Sequence, residues 1–123
     1  MNNTIMVCVT QQRTCEKLIK KGAALRKNEG DELIIINAVN ENDKFLNLQN
    51  DSEALEYLFE IAKEVDGELQ VIRTKNVLDN LISFAKDNNV DYVILGHTNE
   101  ENKVNVFYEK FNEKLPFTEI IEV

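Results

Sequence analysis

The stretch Leu33 to Val39, LIIINAV, is apolar at successive positions and broken only by Asn37. A strand apolar on both faces must be covered on both faces. It therefore belongs in the middle of a parallel sheet between layers of helix, not at the edge of a hairpin. The rest of the chain repeats the theme, with β-branched apolar runs alternating with stretches of helical period.

Ile5 to Val9 reads as the first strand. From about Arg13 to Asn28 a helix is expected, with Leu18, Ile19, Gly22, Ala23 and Leu25 on one face, Thr14 placed to cap it and Gly30 just past its end. Polar, irregular Asn40 to Asp51 reads as the longest loop, with mobility expected of it. The next helix spans about Ser52 to Val65, with Leu55, Leu58, Phe59, Ala62 and Val65 inward, and Asp66-Gly67 stops it. Glu68 to Arg73 is the third strand. Asn76 opens a third helix in a cap-like pairing with Asp79, and Leu78, Leu81, Ile82 and Ala85 form its inner stripe. Asp91 to Gly96 is the fourth strand, Val104 to Glu113 a weaker helix, and Thr118 to Val123 a last strand after Pro116. This βαβαβαβαβ order predicts an α/β fold: a single-domain, three-layer sandwich around a five-stranded parallel sheet, built with right-handed crossovers from residues 1–123.

Charge narrows the partners. With 22 acidic against 14 basic residues the formal net charge is −8, which disfavours nucleic acid and anionic membrane, since both require basic surface. No apolar run approaches the roughly 20 residues of a membrane span, and the opening MNNTIMVCVTQQ lacks the basic and long apolar regions of a signal peptide. A cytoplasmic protein with reduced Cys8 and Cys15 is expected. One histidine and two cysteines at C-x6-C offer no metal-ligand spacing, so no metal is expected.

Open parallel sheets bind ligands beyond the carboxyl ends of their strands. There the chain has Thr10-Gln11-Gln12-Arg13, then Asn40 and Glu41, then Thr74 and Lys75, then Gly96, His97 and Thr98. The glycine cluster of a dinucleotide fold, the P-loop, the acidic residues of a phospho-receiver and the Ser-Gly-Gly loop of an ATP pyrophosphatase are all missing from these places. Thr10, Arg13, Asn40, Lys75, Gly96, His97 and Thr98 remain as the candidate ligand-binding residues, with Arg13 and Lys75 suited to an anion and His97 to a hydrogen bond or a pH response. Polar loop residues with no ligand are the plainer reading of the same set. Cys15, between Arg13 and Lys17 at a helix start, is either a thiol of lowered pKa or a small packed residue. No residue combination supplies a nucleophile with its base, so catalytic residues are expected to be none and the chain is expected not to be an enzyme.

The segments IMVCVTQQRTCEKLIKKGAAL, ELIIINAV, ALEYLFEIAKEVDGELQVI and NVLDNLISFAKDNNVDYVILGHT resemble the universal stress protein (UspA-like) superfamily, of adenine nucleotide alpha hydrolase-like fold. CEKLIKKGAAL follows the SExLIRRGARLA of the universal-stress domain in KdpD-type potassium-sensor histidine kinases, so the narrower resemblance rests mainly on residues 5 to 25. The resemblance implies a five-stranded parallel sheet, a homodimer and a role in stress response or signalling. In the ATP-binding branch of the superfamily the fourth strand is followed by Gly-x2-Gly-x9-Gly-Ser/Thr. Here Gly96 matches the first glycine, while Asn99, Glu109 and Lys110 replace the other three, and Thr10 replaces the aspartate after the first strand. Glu100 and Glu101 set negative charge where a triphosphate would lie. The basic run that follows GRS in kinase-linked domains is absent from HTNEEN, and TQQRT lacks the serines of cyclic dinucleotide receptors.

The resulting expectation is a non-enzymatic module without ATP or another cofactor. It is expected to form a homodimer through the apolar terminal strand FTEIIEV and to meet a protein partner in signalling. The alternative is a sensor of a nucleotide or other small anion with a divergent pocket.

Overall fold

The computed structural model describes residues 3–9, 15–27, 30–40, 48–96 and 106–123, the side chains at 15, 39–40, 48–55 and 106–107 apart. The elements alternate as expected: β1 (Thr4–Val9), α1 (Cys15–Leu25), β2 (Glu32–Asn40), α2 (Leu48–Glu64), β3 (Glu68–Thr74), α3 (Val77–Asp87), β4 (Tyr92–Leu95), α4 (Val106–Lys114) and β5 (Glu119–Glu122). The five strands form one parallel sheet in the order β3-β2-β1-β4-β5.

Strand alternation sorts the core into two layers. Met6, Cys8, Ile34, Ile36, Val93, Leu95 and Ile120 face α3 and α4, where they meet Leu81, Ile82, Ala85 and Phe111. Ile5, Val7, Val9, Leu33, Ile35 and Ile94 face α1 and α2, where they meet Leu18, Ile19, Leu58, Ile61 and Ala62. LIIINAV is therefore covered on both sides. The weakly amphipathic α4 is anchored by Phe111 and Leu115, both buried. Full burial of one such side chain contributes about 1.5–3 kcal/mol, more than the intrinsic preference of so short a helix.

Several local expectations are corrected. α1 ends at Leu25, not Asn28, because the Lys27 N–H is taken by the Asp31 carboxylate at 3.0 Å and Gly30 lies in a separate turn. Residues 48–51, expected in the long loop, begin α2. Leucine and glutamine are good helix formers, and aspartate is favoured near a helix N-terminus. The remainder of that loop and the Thr14 cap lie outside the described residues. Phe59 is 53% exposed, and Ile61 takes the inward place, since residues 58, 61, 62 and 65 share one face while 59 sits about 100° round the helix from 58. Asn76 makes no side-chain cap; its N–H instead donates to Thr74 Oγ1 at 3.1 Å.

Two helices end the same way. Gly67 N–H bonds the Ala62 carbonyl and Asp66 N–H that of Lys63; Val90 N–H bonds that of Ala85 and Asn89 N–H that of Lys86. These are Schellman closures in which Asp66 (φ 55°) and Asn89 (φ 50°) take the left-handed turn. The aspartate rather than Gly67 makes that turn after α2. Gly67 instead lies against β2, where a Cβ would stand 3.1 Å from Ile35 Cδ1.

Candidate functional site

The sheet order places the site. The chain winds one way from β1 through β2 to β3 and the other way from β4 to β5, so the switch point lies between β1 and β4. Val7 pairs with Ile94, which sets Gly96, just past β4, beside the end of β1. Of the candidate residues, Gly96 is the one whose described position is at this crevice. Its φ is not positive, and a Cβ at 96 would meet only Leu18 Cδ1, at an ordinary 3.6 Å. Neither backbone conformation nor packing therefore requires glycine there.

Asn40 ends β2, paired with Thr74 of β3. Lys75 follows β3 and is exposed. β3 is an outer strand, two places from β1, so the Lys75 backbone stands about 12 Å from the switch point at the usual strand spacing. Thr10, Arg13, His97 and Thr98 lie outside the described residues, as does the Cys15 side chain.

Sequence reading missed a polar cluster at the carboxyl end of β3. Asn80 Nδ2 donates to Thr74 Oγ1 and to the Asn76 carbonyl, each at 2.9 Å, and the Asn76 N–H reaches the same hydroxyl. The signal was Thr74-Lys75-Asn76, a hydroxyl two residues ahead of an N–H, which is the spacing of an ST-turn. It ties the β3–α3 connection.

The amino ends of the strands carry the opposite design. Buried Asp31 accepts from the N–H groups of Asn3 (2.8 Å) and Lys27, and Asp91 accepts from the Thr4 N–H at 2.8 Å. These carboxylates fix where β1 begins and lie away from the crevice. Cys8, mid-strand in β1, is buried, and loss of solvation pushes its thiol up to about 12. Among the described residues no His, Cys, Asp and Glu group has the arrangement of a metal site, and no helix is long and apolar enough to cross a membrane.

α4 begins at Val106, and its first turn carries exposed Glu109. Lys110 follows, exposed and 3.8 Å from Glu113. An acidic side chain in a helix's first turn already complements the positive end of the helix dipole.

The profile of the universal stress protein family matches residues 1–104. No curated protein matches the chain. Among solved structures, a universal stress protein from Archaeoglobus fulgidus is similar at 14% identity, with 99% of this chain and 93% of that one covered and a TM-score of 0.68. A universal stress protein in complex with cAMP is similar at 12% identity, covering 99% and 96%, with a TM-score of 0.69. A universal stress protein from Archaeoglobus fulgidus in complex with dAMP is similar at 10% identity, covering 99% and 97%, with a TM-score of 0.56. At these identities the likeness is one of fold.

Proposed function

This chain belongs to the universal stress protein family, and from that premise we propose that it is a non-enzymatic stress-response or signalling module without the family's standard ATP-binding motif. Glu109 carries the reading. The position that aligns with the motif's third glycine lies inside α4, in its first turn, and holds a carboxylate. A polyphosphate approaching that helix start meets negative charge where the motif offers bare backbone. Asn99, Glu100 and Glu101 point the same way in sequence.

The module is cytoplasmic in this reading, needs no cofactor, and works through contacts with a second copy along β5 and with a signalling protein. β5 is an outer strand of the sheet, the position from which strands pair between chains. The narrower kinship with KdpD-type sensory domains rests on CEKLIKKGAAL. A gene position beside a potassium transporter would favour it.

A second reading has its own support. Gly96 stands at the switch point although the fold does not require glycine there, and relatives of this fold are known with cAMP and dAMP. A monophosphate nucleotide brings less charge to the glutamates than ATP does, so Gly96, His97 and Thr98 would suit it better, with Thr10, Arg13, Asn40 and Lys75 around them.

Thermal unfolding with ATP, AMP, cAMP and cyclic dinucleotides separates the readings. The first expects no shift with any of them. A shift with ATP overturns the reading of Glu109, and a shift with a monophosphate alone selects the second reading.

A further inference from the structure

At the end of the sheet away from β5, β3 is an outer strand, and among the described residues β2 is its one neighbouring strand. It is seven residues long and has no proline, and every second residue turns its N–H and C=O to the outer side. Its side chains alternate between the two core layers. Leu69 joins the α1–α2 layer and Ile72 the α3–α4 layer, so Val71 and Arg73 lie on the α2 side, with Glu68 and Gln70 on the other. Val71 is 44% exposed.

α2 brings a second apolar group to this rim. α1 packs on β1 and β4, and Tyr57 leans towards it to bond Glu16. Half-exposed Phe59 lies about 160° round the helix from Tyr57, on the side of the outer edge of β3. Val65 to Phe59 along the helix and Glu68 to Val71 along the strand each span about 9–10 Å, so Phe59 and Val71 stand level. The Lys63 ammonium sits 5.0 Å from the centre of the Phe59 ring, and Arg73 follows Val71 on the same face. An outer strand edge thus runs beside an exposed apolar strip with a cation at either end, on a chain of formal net charge −8.

Resting on the partner reading above, we infer that the outer edge of β3 takes an extended segment of a partner protein as a further strand. Acidic, apolar and acidic residues at alternate positions of that segment meet Arg73, the Val71–Phe59 strip and Lys63. Main-chain bonds to the edge supply affinity and the alternate side chains supply selectivity. A second copy of β3 does not fit. Antiparallel pairing about a two-fold axis opposes residues whose numbers differ by an even number, and Glu68 and Arg73 lie on opposite faces. Centring on Val71 sets Arg73 against Leu69, and centring on Ile72 sets it against Val71, so the strand cannot supply its own carboxylates.

NMR spectra of the protein titrated with the peptide acetyl-TETVTET-amide test the inference. The peptide's pattern is the same in both directions, so the result does not depend on which way the strand adds. The expected response is a set of shift changes concentrated on the amides of Glu68–Thr74 and the Phe59 ring, saturating at millimolar peptide or below. The uncharged acetyl-TQTVTQT-amide is expected to bind about fivefold more weakly or worse, and Phe59→Ser to weaken binding of the acidic peptide by about fivefold. Val71→Lys is expected to lose the response while circular dichroism shows the fold unchanged. No response at millimolar peptide, equal binding of the two peptides or a response centred on β5 overturns the inference. So do β3 shifts that grow with protein concentration in the absence of peptide, which give the edge to a second copy. Each of these outcomes leaves the signalling-module reading standing. That reading falls instead to a thermal shift with ATP, which leaves the β3 response to be read on its own.

Discussion

Gly22 of α1 lies so close to Val7 of β1 that a Cβ on the glycine would stand 2.5 Å from the valine Cγ2 and 3.1 Å from Leu33 Cδ1. The absence of a side chain is what lets α1 settle onto the centre of the sheet. This contact, rather than any unusual backbone angle, is the reason for glycine in the middle of that helix.

Gly22→Ala is therefore expected to destabilise the protein. Forcing a methyl into a filled core costs about 1–3 kcal/mol, against about 1 kcal/mol gained from alanine's better helix propensity. The steric term wins, and urea denaturation is expected to show a net loss of roughly 1 kcal/mol. Gly96→Ala, where the added carbon meets only an ordinary contact, is expected to stay within about 0.5 kcal/mol of the parent. Equal losses at both positions would contradict the packing argument.

Arg26 caps a helix to which it does not belong. Its Nη1 donates to the Asp66 carbonyl at 2.8 Å and its Nη2 to that of Val65, at the C-terminus of α2. A cation there satisfies carbonyls with no partner in the helix and complements the negative end of the dipole. Arg26→Met keeps the apolar stem and loses both bonds, with an expected loss of about 1–2 kcal/mol in chemical denaturation. Arg26→Lys is expected to recover only part of this, since an ammonium lacks the fork that reaches two carbonyls.

The Cys8 thiol, raised by burial to about 12, stays protonated across the physiological range. In a Cys15→Ser background, a disulfide reagent at pH 8 is expected to modify no thiol in the folded protein and one after denaturation. Rapid modification of the native form would show that the β1 core opens readily.

Lys20 holds the Glu16 carboxyl below its ordinary range through a 2.8 Å ion pair, helped by the Tyr57 hydroxyl, which donates to it at 3.0 Å. Glu16 in turn holds Lys20 above its own ordinary value. For Glu16, the stabilisation is complete above the ordinary carboxylate pKa and is lost as pH falls through the lowered folded value. For Lys20, it is complete below the ordinary lysine pKa and is lost as pH rises through the raised one. Both groups are exposed, so the effect is small and weakens with salt. An NMR titration is expected to show the Glu16 pKa rising in Tyr57→Phe, and rising further in Lys20→Met.

Much of the fold was legible from side-chain period. LIIINAV announced a strand covered on both faces, and Leu81, Ile82 and Ala85 fell inward where their spacing put them. The site was legible as a set of strand ends, but not as a grouping in space. Gly96 reaches the β1–β4 switch point, while Lys75 follows an outer strand. Glu109 was legible as a departure from the motif, whereas its place inside the first turn of α4 was not.

The sequence by itself determined the alternation of strand and helix, the two-sided core and the acid-rich surface, because hydrophobic period and charge are local properties of a chain. Tertiary structure decided which strand ends meet, that Phe59 turns outward while Ile61 turns in, that Asp31 ends α1 early and that Arg26 caps α2. Each of these depends on a partner distant in sequence, such as Arg26 on the carbonyls of Val65 and Asp66. Local spacing carries no record of such a pairing; the sheet order and helix packing create it.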